Sequence, residues 1–306
     1  MLGTAPITWG VCEMDGWGER LPYPRVLDEM SALGFAGTEL GPPGYLPGYL
    51  PRDPAALTAA LRARDLILVG SFCPIAAPRD RTAADRAVAE ARTLATFLAA
   101  AGARYLVLAD AGDDARLACA GRADGAEAPA LDFDGWRRFA EVADRIGSEA
   151  RALGVRAVFH PEAGSYVETE SEIEQLLALT DPDAIGLCLD TGHVAYGGGD
   201  PVAIARRHAA RIEHVHAKDV DPAVLARVRS AGMGYLDAAS AGIFVPAGRG
   251  VVDFAGVFAA LELARSDRWV IVEQDVRLGV TALAQDPVAN ARASRDHLLS
   301  LTGPDA

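Results

Sequence analysis

Apolar and polar positions along the chain follow two periods in turn. Short, nearly continuous apolar runs recur at Ala5–Trp9, Gly37–Leu40, Leu66–Phe72, Arg104–Leu108, Val155–Phe159, Ile185–Leu189, Ile212–His216 and Trp269–Glu273. Runs without polar alternation are what strands look like when both faces of a parallel sheet are covered. Between them the period lengthens to that of amphipathic helices, near Tyr23–Leu33, Pro54–Arg64, Ala83–Ala101, Phe133–Leu153, Glu170–Leu179, Pro201–Ala209, Phe254–Ala264 and Pro287–Leu301. Boundary residues agree. Leu33-Gly34 and Leu153-Gly154 read as helix ends before a strand, and Asp53-Pro54 and Asp200-Pro201 as an N-cap followed by proline in the first turn.

Eight strands alternating with eight helices predict an α/β fold, a single (β/α)8 TIM barrel occupying residues 1–306 as one domain. A barrel of this kind needs about 250 residues, so the excess falls in two excursions, at about 110–129 and 219–253. The first is rich in Gly, Ala and Asp and reads as surface padding. The second carries Phe244-Val245-Pro246 and Gly248-Arg249-Gly250. A doubly wound open sheet is the competing architecture, but no glycine fingerprint follows the first strand.

Composition narrows the class of partner. Half of the 306 residues are apolar and 23% are charged, the profile of a soluble globular protein. Asp and Glu number 42 against 29 Lys and Arg, a formal net charge of −13. An acidic chain without a basic run suits neither nucleic-acid phosphates nor an anionic membrane. No segment reads as a signal peptide or a membrane span. The cysteines Cys12, Cys73, Cys119 and Cys188 are far apart and form no CxxC pair, as expected of a reducing cytoplasm. Tyr45–Tyr49 and Gly234-Tyr235-Leu236 suit either packing against a second copy in a homo-oligomer or roofing a pocket.

The chemistry concentrates at the ends of the last four strands. Strand five ends in Phe159-His160-Pro161-Glu162, strand six in Leu189-Asp190-Thr191-Gly192-His193, strand seven in His214-Val215-His216-Ala217-Lys218-Asp219, and strand eight in Val272-Glu273-Gln274-Asp275. Active-site residues of a barrel project from this rim. Carboxylates mixed with imidazoles suit a divalent metal of intermediate hardness: Mn2+, Co2+, Fe2+ or Zn2+. The candidate ligands are Asp190, His216 and Glu273, with His160 or Glu162 as the fourth. A carboxylate following Trp-Val-Ile-Val is costly to bury without a cation, which singles out Glu273. Asp190 also fits as a cap for the next turn, and His214 as a satisfied histidine of the barrel interior. His193 reads as a substrate contact or a turn residue, and Lys218 as a steadying cation or a surface ion-pair partner. Trp9, Glu13, Trp17 and Glu39 end strands one and two and are candidate pocket walls. Arg249 is a candidate clamp for substrate oxygens.

Those strand ends, together with Ala5-Pro-Ile-Thr-Trp-Gly, Gly37-Thr-Glu-Leu-Gly and Val245-Pro-Ala-Gly-Arg-Gly-Val-Val-Asp-Phe, resemble the xylose-isomerase-like TIM-barrel superfamily of sugar isomerases and epimerases. Within it they are most similar to the inosose dehydratase branch. The resemblance runs nearly end to end and is weakest across Asp110–Pro129. It implies one divalent metal, Mn2+ or Co2+ first and Zn2+, Fe2+ or Mg2+ after them, held by Asp190, His216 and Glu273; at strand five, where the chain departs from the family pattern, Glu162 is taken as the fourth ligand with His160 as the alternative. His160 stands where epimerases of the family carry Glu, which breaks the two-glutamate symmetry of epimerisation. The implied reaction is dehydration of a keto-polyol: proton removal alpha to a metal-polarised carbonyl, then loss of the β-hydroxyl as water. Glu273, Glu162 and His160 are candidate bases, and His193 and Lys218 candidate acids. The alternatives are a ketose isomerase or epimerase, a 3-keto-glycoside lyase, or a sugar-binding protein without turnover.

Overall fold

A computed structural model of the chain describes residues 1–49, 52–76, 80–280 and 286–301. Among these described residues ten strands occur in the order β1 (Leu2–Thr4), β2 (Gly37–Glu39), β3 (Ile67–Ile75), β4 (Tyr105–Asp110), β5 (Arg156–Phe159), β6 (Ile185–Asp190), β7 (Ile212–Ala217), β8 (Asp219–Val220), β9 (Phe244–Val245) and β10 (Trp269–Val272). Eight of them close into a barrel in which every pairing is parallel, running β1-β10-β7-β6-β5-β4-β3-β2 and back to β1. The remaining two, β8 and β9, form a small antiparallel pair above the rim.

Seven of the eight barrel strands overlap the apolar runs. The first does not. The run Ala5–Trp9 is mostly a 3-10 turn, Pro6–Trp9, and the strand lies before it at Leu2–Thr4. Pro6 supplies no N–H to a ladder and sits naturally in the first turn of a helix. The helices follow their predicted places closely: Tyr23–Ala32, Pro54–Arg62, Arg81–Ala101, Phe133–Ala152, Glu170–Leu179, Pro201–His208, Phe254–Ala260 and Pro287–Ser300. Gly34 and Gly154 take the left-handed conformation expected of helix-ending glycines, at φ 75° and 79°.

Two layers of apolar packing hold the barrel. Helices cover its outer face, with Leu27, Met30, Leu98, Phe139 and Ile146 wholly or almost wholly buried. Inside, Val69, Tyr105, Val107, Val158, Cys188, Trp269 and Ile271 form a second cluster beneath the C-terminal rim. Among the described residues no helix is long and apolar enough to cross a membrane.

The excursions are more than padding. Within 110–129, Arg116 is wholly buried, its guanidinium paired with both Glu172 oxygens at 3.0 Å and with the Pro129 carbonyl at 2.8 Å. Arg122 reaches into the second excursion and donates to the Val228 and Met233 carbonyls. The two excursions are thereby joined, and each contributes wall to the cavity described next.

Candidate functional site

A cavity of about 330 Å3 opens at the C-terminal end of the barrel, within the size range of small-molecule sites. Four side chains from the ends of four successive barrel strands meet at its base, His160, His216 and Glu273 lining it and Asp190 buried behind them. The ligating atoms of His160, Asp190, His216 and Glu273 all lie within 4.8 Å of one another, and all four residues are buried. His160 Nε2 is 3.2 Å from Asp190 Oδ2, and His216 Nδ1 lies 3.2 Å from Glu273 Oε2 and 3.8 Å from Asp190 Oδ2.

The backbone explains this convergence. Asp190 ends β6 and caps the short helix that follows. Its Oδ1 accepts from the His193 N–H at 2.8 Å, which leaves Oδ2 facing the other ligands. Capping uses one oxygen of the carboxylate and leaves the other facing the group. His214 and His216 lie two apart on β7 and face inward together. Glu273 follows β10, its N–H bonded to the Ala217 carbonyl.

At β5 the two candidates are placed differently. His160, not Glu162, joins the four. The strand ends at Phe159 and the chain turns at Pro161, where the Glu162 N–H bonds to the Val167 carbonyl, so strand alternation no longer aligns the two side chains. Glu162 lies on the cavity wall. Withdrawal from bulk water pushes its carboxyl up to about 8, against the pull of Lys218, while Asp275, Glu13 and Asp190 add to the rise.

A second set of groups stands beside the first. The buried Lys218 Nζ is 2.7 Å from Asp275 Oδ1, 3.2 Å from Glu273 Oε2 and 3.4 Å from Asp190 Oδ2. Burial alone would lower its pKa, but these three carboxylates hold it well above the usual lysine value, so it stays an ammonium. His193 Nε2 lies 3.0 Å from Lys218 Nζ and its Nδ1 lies 3.1 Å from the Ala163 N–H nitrogen, and a neutral ring accepts at only one of the two. Burial, then the Lys218 charge, pushes His193 well below the usual imidazole range, so its ring is neutral.

The other predicted residues divide. Glu13, Trp17 and Glu39 line the cavity. Trp9 does not: its indole is fully buried and donates to Glu29 Oε2 at 2.7 Å. Arg249 is exposed and outside the cavity wall, because the turn carrying it is drawn onto Asp219, whose carboxylate accepts from Gly248, Gly250 and Val252. Tyr45 and Tyr49 are buried against their own chain rather than open to a partner. Tyr235 lines the cavity and donates to Asp275 Oδ2 at 2.6 Å. Of its two readings from sequence, the roof is the one seen. Nothing local in the sequence marked its link to Asp275, 40 residues away. Cys188 also lies close by, its sulfur within 4.8 Å of ring nitrogens of His214 and His216. Burial pushes its thiol up to about 11.

The donor set fits a divalent metal. Two imidazoles and two carboxylates are common ligands of such ions, and the buried His216 Nδ1 has no hydrogen-bond partner while facing two carboxylate oxygens.

Residues 27–301 match the model of the xylose isomerase-like TIM barrel. The chain belongs to that family. Among its xylose isomerase-like relatives is an inosose dehydratase of Lacticaseibacillus casei, 32% identical over 278 residues, which are 90% of this chain and 89% of that protein. Solved structures of the same barrel include L-ribulose 3-epimerase, at a TM-score of 0.71 and 17% identity over 98% of this chain and 94% of that one. Another is the IolI protein with a bound zinc atom, at a TM-score of 0.69 and 16% identity over 98% and 97% of the two chains. This member of the xylose isomerase-like family is an enzyme of the lyase or isomerase type.

Proposed function

We propose that the chain is a divalent-metal-dependent dehydratase acting on a keto-polyol of the inosose type. The observation that carries this reading is the separation of two sets of groups in one cavity. Four ligand atoms converge at the floor, and groups able to move protons (Glu162 on the wall, the Lys218–His193 pair beside Asp275) stand around them. The inosose dehydratase relative supports the substrate class. The zinc atom of the IolI protein supports a metal on this fold.

His160, Asp190, His216 and Glu273 would hold the ion, with Mn2+ or Co2+ as the proposed metal. A bound divalent ion supplies Lewis acidity that polarises a carbonyl and acidifies the neighbouring C–H. Holding the ion occupies His160 and Glu273, two of the three candidate bases, and leaves Glu162. Ionised, as it is above its raised pKa of about 8, the Glu162 carboxylate takes the alpha proton, the electron pair of that C–H bond forms the new C=C bond, and the β C–O bond breaks. The Lys218 ammonium, with His193 Nε2 at 3.0 Å, gives a proton to the departing hydroxyl, which leaves as water. The enol tautomerises to a diketone. Burial of Lys218 keeps that proton from exchanging freely with solvent.

Purified protein incubated with an inosose should form a dione, lose that activity in chelator and regain it with Mn2+ or Co2+. Glu162→Gln should lower kcat by about 100-fold or more, the typical worth of a general base, without weakening metal binding. Full activity in chelator overturns the metal role. Deuterium uptake from heavy water without dione formation replaces the dehydratase with an isomerase or epimerase.

A further inference from the structure

One carboxylate beneath the ligand group is spent on neither the metal nor the proton transfers. Glu39 ends β2, and its Oε1 lies 2.8 Å from His214 Nε2 and 3.2 Å from His216 Nε2. These bonds cross the barrel interior, since β1 and β10 separate β2 from β7 in the sheet. Glu39 is 3% exposed and both histidines are buried, so water does not compete for the contacts. The register of β2 against β3 shifts between Thr38 and Glu39, a local irregularity of the kind that re-aims a side chain.

A carboxylate oxygen can only accept, so both imidazoles must present Nε2–H to it. That choice leaves each Nδ1 bare. The two bare nitrogens differ in what they face. His216 Nδ1 points at Glu273 and Asp190, while His214 Nδ1 has no hydrogen-bond partner. His214 is itself held, its ring packed on Tyr105 with centroids 4.5 Å apart, and the Tyr105 hydroxyl donates to the Glu213 carbonyl at 2.9 Å.

We infer that Glu39 is a positioning residue for the metal, fixing the tautomer and the ring orientation of His216, and that His214 anchors Glu39 in turn. The inference rests on the metal-dependent reading above, but its consequence is a binding constant rather than a turnover rate. Loss of a carboxylate that orients a ligating histidine typically costs 10–100-fold in metal affinity. Because the chain of contacts runs Tyr105, His214, Glu39, His216, removal of His214 acts through Glu39 and costs less than removal of Glu39.

The test is the affinity of the full-length protein for Mn2+ and for Co2+, measured by titration calorimetry, with the visible spectrum of the Co2+ form as a geometric readout. Glu39→Gln should weaken binding at least 10-fold and alter the Co2+ spectrum, while melting in chelator as wild type does. Glu39→Asp should recover part of the loss, and His214→Gln should show a smaller one. If Glu39→Gln melts lower in chelator, His214→Gln decides: weakened affinity upholds the inference and wild-type affinity overturns it. Unchanged affinity and spectrum in a well-folded Glu39→Gln also overturn it. A wild-type protein that binds no divalent ion overturns both this inference and the reading beneath it. A wild type that binds metal yet converts no keto-polyol overturns only the latter.

Discussion

Asp110 shows how a single buried side chain links position to pH. It ends β4, is 2% exposed, and accepts from the Tyr166 N–H at 2.6 Å. Burial pushes its carboxyl from 3.8 up to about 6, with the Tyr166 and Gly112 N–H groups and Arg116 opposing the rise. Between these values the folded chain holds a proton that the unfolded chain has released. Stability therefore falls as pH rises from about 4 to about 6 and stays lower above that window. Asp110→Asn keeps an acceptor and removes the charge. It should stabilise the protein at pH 8 by about 1–3 kcal/mol and make little difference at pH 4, as read by urea unfolding at the two values. A variant no more stable at pH 8 than wild type would mean that the N–H bonds outweigh burial.

The same scale shows what residues alone reveal about the site. Asp190, His216 and Glu273 were legible because each ends an apolar run, where a charged or imidazole group has little reason to sit without a task. The choice between His160 and Glu162 was not legible, since it turns on where β5 stops, and Pro161 hides that boundary. Glu39 was legible as a pocket wall, but not as the partner of two histidines some 175 residues away. Trp9 misled because an aromatic residue ending an apolar run looks alike in a wall and in a core.

At the scale of elements, the excursion 110–129 behaves as an integral wall. Arg116 lies fully buried at its centre, and Glu172, its partner, also accepts from the N–H groups of Glu168 and Thr169 at the start of the helix Glu170–Leu179. Glu168 accepts from Gly121 and Gly164, tying the excursion to the loop after β5 that carries Glu162. Its Gly, Ala and Asp content gave no hint of this, because the contacts are made by Arg116 and by backbone groups that composition does not describe. Removing one partner of a buried ion pair leaves the other uncompensated, at a cost of about 3 kcal/mol or more. Arg116→Met should therefore lower stability by that order in chemical denaturation. It should also lower kcat as well as raise KM, because Leu117 and the proposed base Glu162 lose a fixed wall. A variant as stable as wild type would show that the excursion is ornamental after all.

Over the whole molecule, part of the −13 charge has a structural use. Asp53, Asp80, Asp113, Asp132, Asp200, Asp221, Asp253 and Asp286 each cap a helix with a side-chain acceptor, and Asp190 does so while facing the ligand group. Acidic groups at helix N-termini are favourable, so the charge excess is partly the signature of a barrel built from many helices. At the floor of the site the acids crowd, and Lys218 is the only lysine in the sequence. A bound divalent ion should relieve that crowding. At a hundredfold excess over Kd it contributes about 2.7 kcal/mol, so the melting temperature should rise by a few degrees on adding Mn2+ to chelator-treated protein. Melting indifferent to every divalent ion would remove the metal from the molecule.

The closure of the barrel also sets an order in time. The proposed ligands span residues 160 to 273, and Glu39 reaches them from the other side of the ring. Glu273 follows β10, the strand that completes the ring by pairing with both β7 and β1. A nascent chain thus lacks a finished binding site until its final strand has emerged and docked. Capture of the proposed ion would be a late event in the life of each molecule, and its presence would certify a completed fold.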